Sequence, residues 1–364
     1  MAKKLMIFPS ARSRYLTDKG MKTIYYTLLV LAALMVLQNW YLFSFMHGIK
    51  LVLMIVLSII ATREVEILFY SHDRDIDRAQ SKELITKSYP EVTALLFALL
   101  LPVGTPLWLT VIGAVLATVV GKLLFGGYHH MVFHTSLVGF LFVTLGWDGL
   151  SVNADFANSF DNYLLKLVFD NNFFNDFLSL GNLFPPDSVL VLALDGSSVD
   201  SGFTMFDMMF GLAPGILGIG IVMLGMFGFL VYKKAINWIT TTSMIGSLLV
   251  ISFIIAAING YNVVYYPMFQ LFGGMFLFVA IFLASDPITT PIPTVGKVIF
   301  GVLVGAITMF IRNGEQFMNG TYVQGVVFAV LFMSMLTPML NVEFGKKKKK
   351  IPKKDPVPTE KVGA

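Results

Sequence analysis

Residues 278–312 read FVAIFLASDPITTPIPTVGKVIFGVLVGAITMFIR: an apolar run, a polar break holding Asp286, Pro287 and Pro291, and a second apolar run. Proline has no N–H to give a helix and restricts the residue before it, so the chain must turn or unwind here. A carboxylate and freed carbonyls beside membrane-spanning runs are costly unless they face protein, water or a ligand. Residues 97–127, FALLLPVGTPLWLTVIGAVLATVVGKLLFGG, repeat the plan more faintly, with Pro102 and Pro106 flanking the break and a GKLLFGG string beyond it. Two such breaks in matching places predict an internal repeat around a binding site.

Composition sets the class. Of 364 residues, 56% are hydrophobic and the mean hydropathy is +0.76, which is too apolar for a soluble domain and predicts a polytopic integral membrane protein. With no cysteine, the chain can hold neither a disulfide nor a Cys-ligated iron–sulfur cluster. Its five histidines form no HExxH pattern, which argues against a zinc hydrolase, and no metal site is expected. The net charge of +4 is spread by membrane side and is no nucleic-acid signal.

Hydropathy predicts an all-α fold of ten spanning segments at roughly 23–43, 49–70, 91–103, 105–125, 132–147, 213–232, 236–258, 267–284, 296–312 and 323–341. The third is short and ends at Pro102, so it and the fourth read equally as a broken pair. The division is a basic N-tail (1–22), a first membrane half (23–147), a long loop (148–212), a second half (213–341) and a basic tail (342–364). No small-residue cleavage site follows the first apolar run, so a removable signal peptide is not expected.

Orientation follows from Lys and Arg. With the N-terminus in the cytoplasm of a cell (inner or plasma) membrane, 23 of the 26 basic residues fall on cytoplasmic pieces, leaving out only Lys50, Lys166 and Arg312. Both termini are then cytoplasmic, and the lysines at 346–350 meet the anionic leaflet or form a solvated tail. Five segments per half invert the second half relative to the first, the geometry of inverted-repeat transporters.

The 148–211 loop is the long extracytoplasmic piece, with nine aspartates and one lysine. Leu165, Phe169 and Phe173 have helical spacing, predicting an interfacial amphipathic helix, and residues 188–194 read as a short extended or buried run. Loops of this length are usually functional.

At residues 125–139 (FGGYHHMVFHTSLVG), 284–289 (ASDPIT), 296–312 (GKVIFGVLVGAITMFIR) and 325–340 (GVVFAVLFMSMLTPML), the chain resembles the RnfD/NqrB family, the flavin-carrying membrane subunits of the Rnf complex and the Na⁺-translocating NADH:quinone reductase. Ser285 replaces the family's Thr before Asp286, and Gln324 replaces an acidic residue before Gly325. Phe133-His134-Thr135-Ser136 stands where F-N-P-A is expected.

The resemblance implies FMN attached through a phosphoester to a threonine before the sixth segment, where this chain has Ser201-Gly202-Phe203-Thr204 with Phe203 in place of Ala. Asp195-Gly196 lies three residues farther upstream than in the family string. Thr204 is the only threonine between 148 and 211, and Gly202 supplies a permissive backbone beside the hydroxyl. A turn threonine without modification is the plain alternative. Asp195, Asp200 and Asp207 either bind the Mg²⁺ of the incoming flavin substrate or keep the loop soluble.

The other candidates have double readings. Gly126 and Gly127 either admit a flavin or quinone ring or cap a helix. His129, His130 and His134 either relay protons or are satisfied interfacial histidines. Asp286 either serves a flavin or an ion path or caps a helix. Arg63, Glu64 and Glu66 read as a helix-end ion-pair cluster.

The function implied is an electron-transfer subunit, incomplete alone, of an ion-translocating redox complex. Its partners would be membrane and peripheral subunits, a flavin transferase, the bilayer and, on the quinone-reducing pattern, quinone. A second, non-covalent flavin such as riboflavin is compatible with it. The alternatives are a small-solute transporter and a non-flavinylated membrane anchor for flavin-carrying partners.

Overall fold

The structure, a computed structural model, describes residues 14–42, 45–73, 77–86, 88–101, 103, 105–127, 131–146, 209–210, 218–260, 263–286, 289–313 and 325–344. Every described element is helical: α1 (Arg14–Leu42), α2 (Phe45–Asp73), α3 (Arg78–Ile85), α4 (Pro90–Leu100), α5 (Leu107–Thr118), α6 (Thr135–Gly146), α7 (Gly220–Tyr232), α8 (Trp238–Asn259), α9 (Tyr265–Phe272), α10 (Phe276–Phe278), α11 (Thr294–Arg312) and α12 (Gly325–Phe344). Both α5 and α10 continue into a π-helical end, Val119–Leu123 and Val279–Leu283. The predicted loop at 148–208, with its amphipathic and extended pieces, lies outside the described residues.

Among the described residues, five helices are long and apolar enough to cross a membrane: Asp18–Tyr41 within α1, then α2, α8, α11 and α12. Four shorter apolar helices accompany them: α4, Leu107–Leu123, α6 and α7. The predicted eighth segment is interrupted where hydropathy runs straight through, because Gly273 and Gly274 (φ 65°) open the chain between α9 and α10. The predicted first segment overlaps the apolar span Asp18–Tyr41, and its helix, α1, reaches back beyond it to Arg14 in the basic tail.

Two elements form the centre. All but one residue of α4 is buried, and every residue from Phe276 to Asp286 is buried through α10 and its π end. Helices apolar on all sides belong inside a bundle. Phe97, Phe140, Phe276, Phe278 and Phe300 are the largest apolar side chains shut away there. The outer helices expose large apolar residues instead, such as Val52, Val56 and Ile60 on α2 and Val250, Phe253 and Ile254 on α8. That is a surface for lipid tails or neighbouring membrane helices.

Helices α8 and α11 cross at Gly301 and Gly305, whose missing Cβ positions would stand 2.6 Å from the Thr240 carbonyl and 1.9 Å from Ser247 Oγ. Small residues four apart let two backbones approach closely in a membrane.

One end of the bundle gathers several turns. Tyr89, ahead of α4, donates from its hydroxyl to the Asp18 carbonyl on α1 at 3.4 Å. Burial first, then the Asp18 carboxylate, pushes the Tyr89 phenol up to about 12. Arg63 on α2 pairs with Glu91 on α4 at 3.5 Å. Gly20 on α1 faces Ala235 between α7 and α8, and the Ile292 amide donates to Asn341 Oδ1 near the end of α12 at 2.8 Å. These pieces are ones that the basic-residue count assigns to a single membrane side.

At the opposite end, Arg312 donates to the Gln270 carbonyl (2.5 Å), Gln270 Oε1 (3.0 Å) and the Gly273 carbonyl (3.0 Å), and lies over the Phe276 ring. It ties the end of α11 to the open joint between α9 and α10.

Candidate functional site

The turn after α10 is the most elaborately held polar feature among the described residues. The π end closes with the Ala284 amide bonded to the Val279 carbonyl at 2.7 Å. A π turn shifts carbonyls out of the α ladder, and side chains meet two of them here: Thr241 Oγ1 on α8 donates to Ala280 O at 3.0 Å, and Ser285 Oγ donates to Ile281 O. The chain then reverses at Asp286, which is only 7% exposed. Thr289 Oγ1 reaches its carboxylate at 3.4 Å, and Thr290 Oγ1 donates to its carbonyl at 2.7 Å.

Three further helices fix that turn. Asn237, at the head of α8, donates to Thr290 Oγ1 at 3.4 Å and accepts from Lys297 Nζ on α11 at 3.2 Å. Thr337 on α12 donates to the Thr289 carbonyl at 3.0 Å. The residue before α11 is Pro293, and the short helix at Pro287 that Asp286 would cap lies outside the described residues. Asp286→Asn is expected to leave thermal stability and insertion unchanged, because asparagine keeps an oxygen that can accept from Thr289. A clear fall in the unfolding temperature of that variant would show that the carboxylate charge itself holds the turn.

The second polar feature is not legible in the sequence as such. Arg63, Glu64 and Glu66 do not form one cluster: Arg63 pairs with Glu91, Glu64 with Arg78 on α3, and Glu66 points the other way. Glu66 is fully buried and meets Lys122, also fully buried in the π end of α5, at 2.5 Å. Lys122 also donates to the Ser88 carbonyl at 2.8 Å. Tyr89, the next residue, sits at φ 51° and ψ 52°, a left-handed conformation uncommon for a non-glycine residue, and this turn presents the Ser88 carbonyl to Lys122.

Lys50, Met54, Ser58, Thr62 and Glu66 are all buried at four-residue spacing along α2. Among the described residues, the second Glu66 oxygen and the hydroxyls of Ser58 and Ser88 have no hydrogen-bond partner. This i, i+4 line of small polar residues ending in a carboxylate is the available sequence signal; its partner, 56 residues away, is not.

The other predicted residues divide. Gly126 (φ 96°) and Gly127 (φ 97°) occupy conformations that favour glycine, and their amides bond the Leu123 and Lys122 carbonyls, both at 3.0 Å. They close the π end of α5. A Cβ on Gly127 would stand 2.6 Å from the Tyr70 hydroxyl, so α2 fills that space; Gly126 is exposed. His134 is 8% exposed at the head of α6, with no partner for Nδ1 among the described residues. His129, His130, Pro287 and the Ser201, Gly202 and Thr204 string lie outside the described residues. No group of three or more metal-ligating side chains occurs among the described residues.

An all-helical bundle with several membrane-length helices, a buried ion pair and a buried carboxylate turn defines a polytopic membrane protein with polar positions inside it. The family model described as NQR2, RnfD, RnfE family matches residues 10–350, and the chain belongs to that family. It is similar to the D subunit of the ion-translocating oxidoreductase complex of Actinobacillus succinogenes, 28% identical over 69% of this chain and 74% of the relative. The D subunit from Erwinia tasmaniensis is 25% identical over 92% of this chain and 96% of the relative. That from Colwellia psychrerythraea is 28% identical over 69% and 73%.

Proposed function

We propose that this chain is the flavin-carrying membrane subunit of an ion-translocating oxidoreductase complex, with FMN bound covalently at Thr204. The observation that carries the proposal is the family match over residues 10–350 together with a single threonine in the 148–211 loop, at the family's acceptor position ahead of α7. FMN supplies one- and two-electron chemistry; this chain's part is to place it and to organise the membrane around it. In this proposal ten segments cross the membrane as two inverted halves, both termini are cytoplasmic and Thr204 faces outward. The end holding Glu66, Lys122 and Asp286 then faces the cytoplasm, with buried charges available for coupling to ion movement. A second, non-covalent flavin such as riboflavin, or a quinone, would approach the exposed Gly126 side of its turn.

The acceptor hydroxyl would attack the flavin-side phosphorus of a flavin dinucleotide bound by the transferase, forming the phosphoester to FMN as the phosphoanhydride bond breaks, the nucleoside monophosphate leaves and the hydroxyl proton passes to a base of the transferase. Peptide mass mapping of the chain made together with its own flavin transferase tests this. One FMN adduct is expected, lost in Thr204→Val and kept in Ser201→Ala. An unmodified Thr204 peptide under those conditions overturns it in favour of a membrane anchor for flavin-carrying partners, because Phe203 adds bulk beside the acceptor. A colourless, unmodified chain that moves a solute in vesicles would instead identify a transporter.

A further inference from the structure

We propose, on the reading that this subunit couples to ion movement, that Glu66, Ser88 and Lys122 form an exchange site for a hard monovalent cation such as Na⁺, which enters as the Lys122 ammonium gives up a proton. Glu66 Oε1 and the Ser88 carbonyl both accept from Lys122 Nζ, at 2.5 and 2.8 Å, so one point lies within reach of both oxygens. The same two residues carry two more oxygens, Glu66 Oε2 and Ser88 Oγ, which are buried and have no hydrogen-bond partner among the described residues. Glu66 is 0% exposed and Ser88 5%. A carboxylate oxygen and a hydroxyl left so deep without partners are costly, and a cation coordinated by them removes that cost.

Carboxylate, carbonyl and hydroxyl are hard oxygen donors, which suit hard cations rather than transition metals. One carboxylate balances one positive charge, and no group of three metal-ligating side chains occurs among the described residues, so a monovalent ion fits and a divalent one does not. Na⁺ and the ammonium proton are then alternatives. As Na⁺ enters, Lys122 passes one proton to water, its neutral amine stays as a further ligand, and the net charge beside Glu66 is unchanged. Lys122 stands in the π end of α5, and the left-handed backbone of Tyr89 fixes the turn that offers the Ser88 carbonyl. Glu91, three residues beyond Ser88, pairs with Arg63, and these side chains are 30% and 48% exposed, so the site lies close to solvent. The remaining titratable groups on the elements packed here are Tyr70, against Gly127, and His134, beside the Thr135 that packs on Gly121. Inward, Thr62 and Ser58 continue the buried face of α2, and Ser58 Oγ is again without a partner among the described residues. That is a next polar position for a released ion.

The full chain would be placed in phosphatidylcholine nanodiscs in weakly buffered, mildly alkaline choline chloride and given NaCl. Bound sodium would be counted with a radioactive tracer and released protons with a pH-sensitive dye. Saturable binding with about one proton released per ion is expected. Glu66→Gln is expected to lose both signals and Ser88→Ala to weaken binding severalfold. Lys122→Met is expected to bind sodium without releasing a proton, and its unfolding temperature to rise in NaCl but not in choline chloride. Glu64→Gln, which changes the exposed partner of Arg78, is expected to behave as the unaltered chain. Absence of bound sodium on the unaltered chain, or binding that Glu66→Gln leaves intact, overturns the site. If Glu66→Gln does not fold, a Lys122→Met chain indifferent to the choice of salt overturns it instead. Binding is read without electron transfer, so a chain that binds sodium but carries no FMN keeps the site, and one that carries FMN but binds no sodium loses the site alone.

Discussion

Replacing Lys122 with methionine is expected to cost about 3–5 kcal/mol of stability, the usual consequence of leaving one member of a buried ion pair without the other. Methionine keeps the apolar stem but strips the charge from beside Glu66. Among the described residues Lys122 is the only ion-pair partner of Glu66, and both side chains are fully buried. The Ser88 carbonyl loses its donor in the same step. Thermal unfolding of the detergent-solubilised chain is the measurement. Combining Lys122→Met with Glu66→Gln is expected to recover more than half of the loss, because the uncompensated charge is then gone. A single variant as stable as the unaltered chain would show that Glu66 takes up a proton without structural consequence.

The second large effect is steric. Gly305→Ala puts a methyl group 1.9 Å from Ser247 Oγ and 2.7 Å from the Met244 carbonyl. Gly301→Ala puts one 2.6 Å from the Thr240 carbonyl and 3.0 Å from the Met244 amide. A serine hydroxyl turns aside; backbone does not, so α8 and α11 must separate. Overpacking of this kind costs about 1–3 kcal/mol, and the backbone contacts put both substitutions near the top of that range. Adding Ser247→Gly is expected to restore Gly305→Ala only in part and Gly301→Ala not at all. Thermal unfolding again reads the result, and full rescue of either variant would mean that the helices move apart easily.

The positions of the apolar helices are legible in the sequence because a membrane helix is a matter of length and composition, and the break at Asp286 because proline announces it. The joint at Gly273–Gly274 is hidden inside an apolar run, where the glycines change the backbone but hardly change hydropathy. In the sequence Lys122 reads as one more basic residue on the cytoplasmic count, and Glu66 as part of a helix-end cluster; only the packing of α5 on α2 joins them. Arg312, an exception to the charge count, is accounted for by carbonyls, which no side-chain pattern records. The capping alternative for Gly126 and Gly127 matches their hydrogen bonds and positive φ, whereas the short helix that Asp286 would cap falls at Pro287, outside the described residues.

The two π-helical ends bear on how this chain tolerates insertion and deletion. Each holds one residue more than an α turn would, with Leu124 bonded to Val119 and Ala284 to Val279, five residues apart. Removing one residue from Val279–Leu283 would let the helix relax into ordinary α geometry with no gap in its ladder. The wide turn already absorbs the extra residue, so the chain beyond it would keep its facing and Asp286 would stay beside Thr289, Thr290 and the head of α8. A one-residue deletion within α8, which stores no such slack, would instead turn everything beyond it by about 100° about the helix axis. The extra residue therefore acts as spare chain length, and these five residues are where a deletion is absorbed.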